Sequence, residues 1–296
     1  MEKIIQIHNL TKSYGIHKGV FNLDFDVYKG EVFGFIGPNG AGKTTTIRHL
    51  LGFIASDEGF CEIFNLETKE NAALIQKKLG YLPGEITFFD QMTGIEFLKL
   101  MASLRHLEDL SKMNELITFF EFDPSGRIKK MSKGMKQKLG LVSAFMHDPE
   151  VLILDEPTSG LDPLMQTKFV ELILNEKKKG KTILMSSHSF DEIEKTCDRA
   201  GIIKDGVLVA LEDIKDLKSK QRRVFHVRFN SKKELDSIKQ DLQLIHIDDC
   251  DALVEISGDI NPLIRILAKV QIDQFEEKSQ SLEEIFMHFY QRESVS

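Results

Sequence analysis

Residues 37–44 read GPNGAGKT, directly after the apolar run Val32–Ile36 and directly before a segment with Ile47, Leu50 and Leu51 at helical spacing. The string fits G-x-x-x-x-G-K-[ST], which average residue usage would produce by chance in such a chain only at roughly the per-cent level. A strand, a glycine-rich loop and a helix in that order restrict the chain to an α/β architecture with a buried sheet. Gly37, Gly40 and Gly42 let the backbone close around phosphate oxygens and aim N–H groups at them, while the helix N-terminus adds favourable partial charge. The loop also contains Pro38, Asn39 and Ala41. Lys43 is expected to reach the β- and γ-phosphates of a nucleotide, Thr44 to offer a hydroxyl to Mg²⁺, and Thr45 to supply a donor near the α-phosphate.

A second string, VLILDEPTSGLDP at 151–163, supplies what a phosphate loop lacks. Asp155 follows four apolar residues, so it emerges at a buried strand end where a carboxylate can hold magnesium directly or through water. Glu156 beside it is placed to take a proton from an attacking water. Two adjacent acids after a strand are also compatible with capping a helix.

Around these strings the chain alternates in type. The segment 20–36 begins as an alternating ribbon, with Phe21, Leu23, Phe25 and Val27 on one face, and residues 90–150 read as mostly helical. Val151–Leu154 and Thr182–Met185 read as continuous apolar strands of a parallel sheet, separated by a helix over 163–179. Asp162-Pro163 marks the start of that helix and Lys177–Gly180 its end. Ser189 and Glu192 fit a capping box for the next helix. IIKDGVLVA, 202–210, predicts a hairpin turning at Asp205-Gly206, and the charged EDIKDLKSKQRR, 212–223, predicts a linker. Beyond it strand 224–229, helix 231–241, strands 244–247 and 253–256, helix 262–270, strand 271–276 and helix 281–290 follow a βαββαβ pattern with an extra helix.

The order GPNGAGKT, MSKGMKQK (131–138), VLILDEPTSGLDP, SSH (186–188) resembles the ATP-binding subunits of ABC transporters over about residues 1–215. The resemblance implies a P-loop NTPase core with an N-terminal antiparallel β-subdomain and a helical subdomain at about 86–148, together spanning 1–218. A small α+β, ferredoxin-like domain at 222–296 follows; it carries no recognisable chemistry and is expected to be regulatory or dimer-supporting. The resemblance further implies a head-to-tail pair that sandwiches two ATP molecules with Mg²⁺, dimerising on ATP and separating after hydrolysis. Tyr14 matches the aromatic that stacks on adenine, although a tyrosine at a strand edge also serves structure alone. His188 matches the histidine that hydrogen-bonds the γ-phosphate and positions water. Ser132 and Gly134 match the donors that meet a γ-phosphate held by the opposite subunit, Ser159–Asp162 the loop that links the two sites. Lys133 stands where a glycine is usual, either adding charge to that task or lying solvated. In YLPGE, 81–85, Gly84 occupies the place of a glutamine that reaches Mg²⁺ and the attacking water, leaving a water to fill it and the glycine to act as a hinge. ITFFDQMTGIEFLKLMASL, 86–104, matches the groove for a coupling helix of the membrane subunit, where Phe88, Phe89, Phe97 or Met101 either line the groove or pack the core.

Composition narrows the class. Lys plus Arg at 39 against Asp plus Glu at 46 gives 39 − 46 = −7, with signs interspersed, so no nucleic-acid partner is expected. Cys61, Cys197 and Cys250 form no metal or redox pair and fit a reducing cytosol. No apolar run approaches the length of a membrane span, so the spanning permease subunits are expected on separate chains, with this one peripheral on the cytoplasmic face and soluble when isolated. The ending SLEEIFMHFY, 281–290, looks like export-type subunits. A soluble ATPase acting on chromosomes or ribosomes is the rival class. It fits less well, because only about ninety residues separate Lys43 from Ser132 and each motif occurs once. Glu156 and His188 argue against a binding module without catalysis.

Overall fold

The computed structural model describes residues 1–15, 18–89, 91–219, 223–256 and 259–278. In chain order, two long strands, β1 (Lys3–Gly15) and β2 (Lys18–Tyr28), lead into the buried β3 (Val32–Ile36) and helix α1 (Lys43–Leu50). Next come β4 (Glu58–Ile63), β5 (Leu66–Glu67), α2 (Thr68–Gln76) and β6 (Leu79–Leu82). The helices α3 (Gly94–Leu104), α4 (Ser111–Phe119) and α5 (Lys133–Phe145) precede β7 (Val151–Asp155), α6 (Pro163–Lys178) and β8 (Thr182–Ser187). The short α7 (Phe190–Thr196), the hairpin β9 (Arg199–Lys204) and β10 (Val207–Asp213), and α8 (Ile214–Ser219) follow.

Two sheets result. One is antiparallel with order β2-β1-β4-β5; the other runs β10-β9-β3-β8-β7-β6. Within the second, β9, β3, β8, β7 and β6 are parallel and only β10 runs against its neighbour. Every residue of β3, β7 and β8 is buried, which is why these strands read as unbroken apolar runs rather than alternating ones. The ribbon alternates instead, and its Phe25 stacks on Phe33 of β3 at 5.1 Å and tilts against Phe35 at 5.3 Å, joining the two sheets in one core.

The strand order positions the chemistry. The loop after β3, the turn after β8, the loop after β7 and the loop after β6 lie side by side at the carboxyl edge of one parallel sheet. They hold residues 37–42 leading into α1, His188, Glu156 and Gly84 respectively.

Helix punctuation follows the local chemistry with two corrections. Asp162 caps α6 by accepting from the Met165 N–H at 3.0 Å, and Pro163 takes the first helical position. The capping box expected of Ser189 and Glu192 does not form. The Ser189 side chain makes no capping bond, and Glu192 turns inward to hydroxyls on other elements. The linker expected over 212–223 begins instead as the end of β10 and then α8, because Ile214 and Leu217 are buried and give the charged segment an apolar stripe. Asp205 and Gly206 turn the β9–β10 hairpin with φ of 50° and 82°.

By contacts the chain divides into units at Met1–Ile214 and Lys215–Ser296. The second contains β11 (Arg223–Phe229), α9 (Lys232–Ile238), β12 (Leu244–Asp248), β13 (Asp251–Ile256), α10 (Asn261–Leu267) and β14 (Ile272–Glu277). Its sheet is antiparallel with order β12-β13-β11-β14, the fourth strand lying beside the first. Phe225, Val227 and Phe229 share one face with Leu235, Ile238, Leu263 and Leu267 in a core of their own. The helix expected at 281–290 lies outside the described residues.

Candidate active site

Glycine and tight packing shape the loop after β3. Gly40 and Gly42 have φ of 84° and 114°, a backbone region that side chains rarely adopt, and a Cβ on Gly40 would face open space. That space belongs to a cavity of about 440 Å³ lined by Pro38, Asn39, Lys43, Thr44 and Thr45, with Tyr14 at its lip. Tyr14 is 54 % exposed, a ring free to take a flat partner. Ala41 is buried, its carbonyl accepting from Gly206 N–H at 3.0 Å and its N–H donating to Pro38 at 3.2 Å, so the hairpin turn braces the loop from behind.

Lys43 is only 6 % exposed. Its Nζ donates to the Gly37 carbonyl at 2.6 Å and the Pro38 carbonyl at 3.3 Å, and pairs with Glu156 Oε1 at 3.2 Å. The ammonium expected to reach nucleotide phosphates is held here by its own loop and by the acid across from it. Thr44 Oγ1 donates to Asp155 Oδ2 at 2.8 Å, and the Ser186 hydroxyl donates to Asp155 Oδ1. A hydroxyl and a carboxylate side by side are the hard oxygen donors that Mg²⁺ takes, so the pair fits that ion.

Glu156 adopts φ of 50°, a strained conformation for a residue with a side chain. Its N–H donates to the Ser186 carbonyl at 3.2 Å and to Ser186 Oγ at 3.0 Å, which holds the carboxylate over the sheet edge. Glu156 Oε2 meets His188 Nδ1 at 2.5 Å, and His188 is otherwise exposed. Lys43, Thr44, Asp155, Glu156 and His188, drawn from three strand ends, therefore form one cluster.

Gly84 has a steric role. A Cβ there would lie 3.2 Å from Asp155 Oδ2 and 3.3 Å from its Cγ, so the loop after β6 packs its bare backbone against the carboxylate. Gly84 and Glu85 line a second cavity of about 490 Å³ with Thr44, Arg48, Asp155 and Glu156. Tyr81 borders it too, its hydroxyl pushed up to about 12 by burial and then by Asp155.

Ser132 and Gly134 are not among the residues lining these two cavities. The Ser132 hydroxyl caps α5 by accepting from Met135 N–H at 3.2 Å, which starts the helix at Lys133. Lys133 is exposed, its Nζ donating to Ser159 Oγ at 3.0 Å, and it lines the second cavity together with Asp155, Glu156 and His188. In the helical region Phe97 is buried edge-on to Phe88 at 5.0 Å, whereas Phe89 is exposed, so the expected stripe is part core and part surface.

Three residues tie loops of the site together through partners that the sequence did not show, although Ser186 stands in SSH and Glu192 was read as a helix cap. Gln137 is buried and donates to the Pro157 carbonyl at 2.7 Å, tying α5 to the loop after β7. Its signal was a polar residue in the stripe Gln137, Leu141, Ala144, Phe145. Ser186 and Glu192 gave no signal apart from their neighbours.

Residues 20–159 match the family described as ABC transporter. The Bacillus licheniformis protein named bacitracin transport ATP-binding protein BcrA is 38% identical over 226 residues, 75% of this chain and 74% of that protein. The Bacillus subtilis (strain 168) protein named uncharacterized ABC transporter ATP-binding protein YxlF is 33% identical over 297 residues, spanning 96% of this chain and 98% of its own length. A solved dimer of an ATP-binding cassette, described as a post-hydrolysis state bound to ADP and Pi, matches with a TM-score of 0.65 over 71% of this chain and 99% of that one, at 21% identity. Relatedness over such lengths, on the sheet order that brings these loops to one edge, has one meaning: the chain belongs to the ATP-binding subunits of ABC transporters and hydrolyses ATP to power one.

Proposed function

We propose that Glu156 is the base and His188 its partner in hydrolysis, with Lys43 as phosphate ligand and Thr44 and Asp155 as magnesium ligands. The meeting of Lys43, Glu156 and His188 beneath the phosphate loop carries this reading. Glu156 takes a proton from water as the water oxygen bonds to the γ-phosphorus and the bond to the β-bridging oxygen breaks, giving ADP and phosphate. Lys43 exchanges its carbonyl and Glu156 contacts for phosphate oxygens, which frees Glu156 for that proton. Magnesium, when bound, neutralises charge developing on the phosphates. Gly37, Pro38, Asn39, Gly40, Ala41, Gly42 and Thr45 cradle the phosphates, and Tyr14 stacks on the adenine.

Ser132 and Gly134 complete a nucleotide site on a second copy or a homologous subunit. The 222–296 domain supports or regulates that pairing. Export is the favoured direction, supported by the bacitracin transport name of one relative. Among the described residues no helix is long and apolar enough to cross a membrane. In this reading separate permease subunits carry the cargo path and hold this chain peripherally at the cytoplasmic face. Fractionation tests this. Coexpressed with its permease, the chain is expected in the membrane fraction and, without it, in the soluble fraction; a soluble chain in both cases overturns the transporter assignment of this partner.

The loop at Gly84 and Glu85 is proposed to sense the permease rather than the metal. With no side chain at 84 and Asp155 packed against the backbone, Thr44 and Asp155 carry the protein's share of coordination and water the rest. Glu85→Ala is expected to leave the Mg²⁺ concentration for half-maximal ATPase of the isolated subunit within about twofold and to weaken stimulation by the permease. A large rise in the Mg²⁺ requirement would make Glu85 a metal ligand.

A further inference from the structure

Glu192 is a buried acid that the proposed chemistry leaves unused. It is 6 % exposed, and its Oε2 accepts from Ser187 Oγ at 2.7 Å and from Thr158 Oγ1 at 3.2 Å. Its Oε1 is buried without a hydrogen-bond partner. Ser187 immediately precedes His188, and Thr158 follows Glu156 by two residues. Because His188 and Glu156 meet at 2.5 Å, the contacts close a ring: Glu156 to Thr158 along one loop, Glu192 across to Ser187, and His188 back to Glu156. Ser187 Oγ also accepts the Ser189 N–H at 2.9 Å, and of its two acceptors the Glu192 carboxylate at 2.7 Å is far nearer than the Ser189 carbonyl at 3.4 Å. The Thr196 hydroxyl, donating to the Glu192 carbonyl at 2.6 Å, fixes the turn from which the acid projects.

We propose that Glu192 is a positioning residue for ATP hydrolysis, holding the loops that carry Glu156 and His188 at the separation where those two side chains meet. The proposal rests on the reading of Glu156 and His188 as the catalytic pair.

A carboxyl group is a poor choice for filling this space, since burying it without full hydrogen bonding is unfavourable and an apolar residue would fill it freely. Burial pushes the Glu192 carboxyl up to about 7, against the pull of the Ser187 and Thr158 hydroxyls, with the Glu156 carboxylate adding to the rise and His188 opposing it. On its own helix Asp191 and Lys195 line the adjoining cavity of about 710 Å³, and the buried Cys197 follows. From α6 the lining side chains Gln166, Thr167 and Val170 carry no charge.

The sign of the pH dependence follows. Below about 7 the group is protonated, a proton on Oε1 finds no acceptor, and Oε2 holds the two hydroxyls only as a neutral carbonyl; above it the charged carboxylate accepts both more strongly and the ring tightens. Folding behaves oppositely. A carboxyl whose value is raised in the folded state withdraws stability as pH rises from its unfolded value through about 7. Replacement by glutamine, which keeps shape without charge, is therefore expected to raise the melting temperature above pH 7 while lowering turnover, a pairing that a merely structural acid would not give.

Steady-state ATPase assays of the full-length subunit across about pH 6–9 test this, with nucleotide affinity and thermal unfolding measured alongside. Glu192→Gln is expected to lower kcat about tenfold with KM changed less than about twofold, and to abolish the rise of kcat through pH 7. Thr158→Val breaks the same ring at a second point, so the double variant is expected to be no slower than the slower single variant. An unchanged pH profile, a loss confined to KM, or additive losses would overturn the proposal. Glu156→Gln in the same assay separates the two readings. If it retains turnover, the catalytic pair is wrong; if it is inactive while Glu192→Gln is unaffected, only the role of Glu192 falls.

Discussion

Glu156→Gln is expected to lower ATP turnover by roughly two to four orders of magnitude while leaving ATP affinity nearly intact. The substitution preserves the shape of the side chain, and the strained φ of 50° belongs to the backbone, which Ser186 holds from both its carbonyl and its hydroxyl. What is lost is the ability to accept a proton from water. The amide also loses the ion pair to Lys43 at 3.2 Å, which frees the ammonium for phosphate, so binding is expected to be kept or slightly tightened. Because separation follows hydrolysis in the proposed cycle, the variant is expected to accumulate as an ATP-bound dimer on gel filtration. Turnover equal to the unmodified chain, in a preparation cleared of other ATPases, would remove Glu156 from the role of base.

Lys43→Met acts on the opposite side of the same contact. It keeps the apolar stem and removes the ammonium, and nucleotide affinity is expected to fall by about one to two orders of magnitude, as loss of a charge-assisted hydrogen bond to phosphate implies. The folded state should suffer too. Lys43 and the Glu156 side chain are 6 % and 20 % exposed, so the acid is left half-paired, with His188 alone, at about 1–3 kcal/mol. Fluorescence titration with a labelled nucleotide and urea unfolding read the two effects separately. Unaltered affinity would mean that backbone N–H groups of the loop carry phosphate binding without the lysine.

These two residues also mark how far the sequence could be read. GPNGAGKT and VLILDEPTSGLDP were legible because their content is local. Positive-φ glycines, a buried run ending in an acid and a capped helix start are each specified within a few neighbouring residues. The parallel core and the ribbon were legible for the same reason, through continuous as against alternating burial. The second unit's strand and helix series was likewise readable from periodicity, whereas its sheet order came only from the pairing of β11 with both β13 and β14.

What escaped were residues whose partners lie far along the chain. Glu192 was read as a helix cap because Ser189 stands three residues before it; tertiary packing turned it toward Thr158, 34 residues away. The charged segment at 212–223 looked like a linker, yet Ile214 and Leu217 are buried and the segment begins as strand and helix. Gly134 looked like a bare N–H donor, yet a Cβ there would also lie 2.8 Å from the Gly160 carbonyl, so the residue is fixed by the approach of another loop. Gly84 was read as a hinge from the sequence; that its bare backbone closes on Asp155 only the tertiary structure showed. The sequence by itself thus determined the backbone shapes, the burial pattern and the chemical groups of the phosphate loop and its acids, since these depend on neighbours in the chain. Only the tertiary structure decided which groups meet, because the order β3-β8-β7-β6 brings four strand ends to one edge, and that order is a property of sheet pairing which no short string contains.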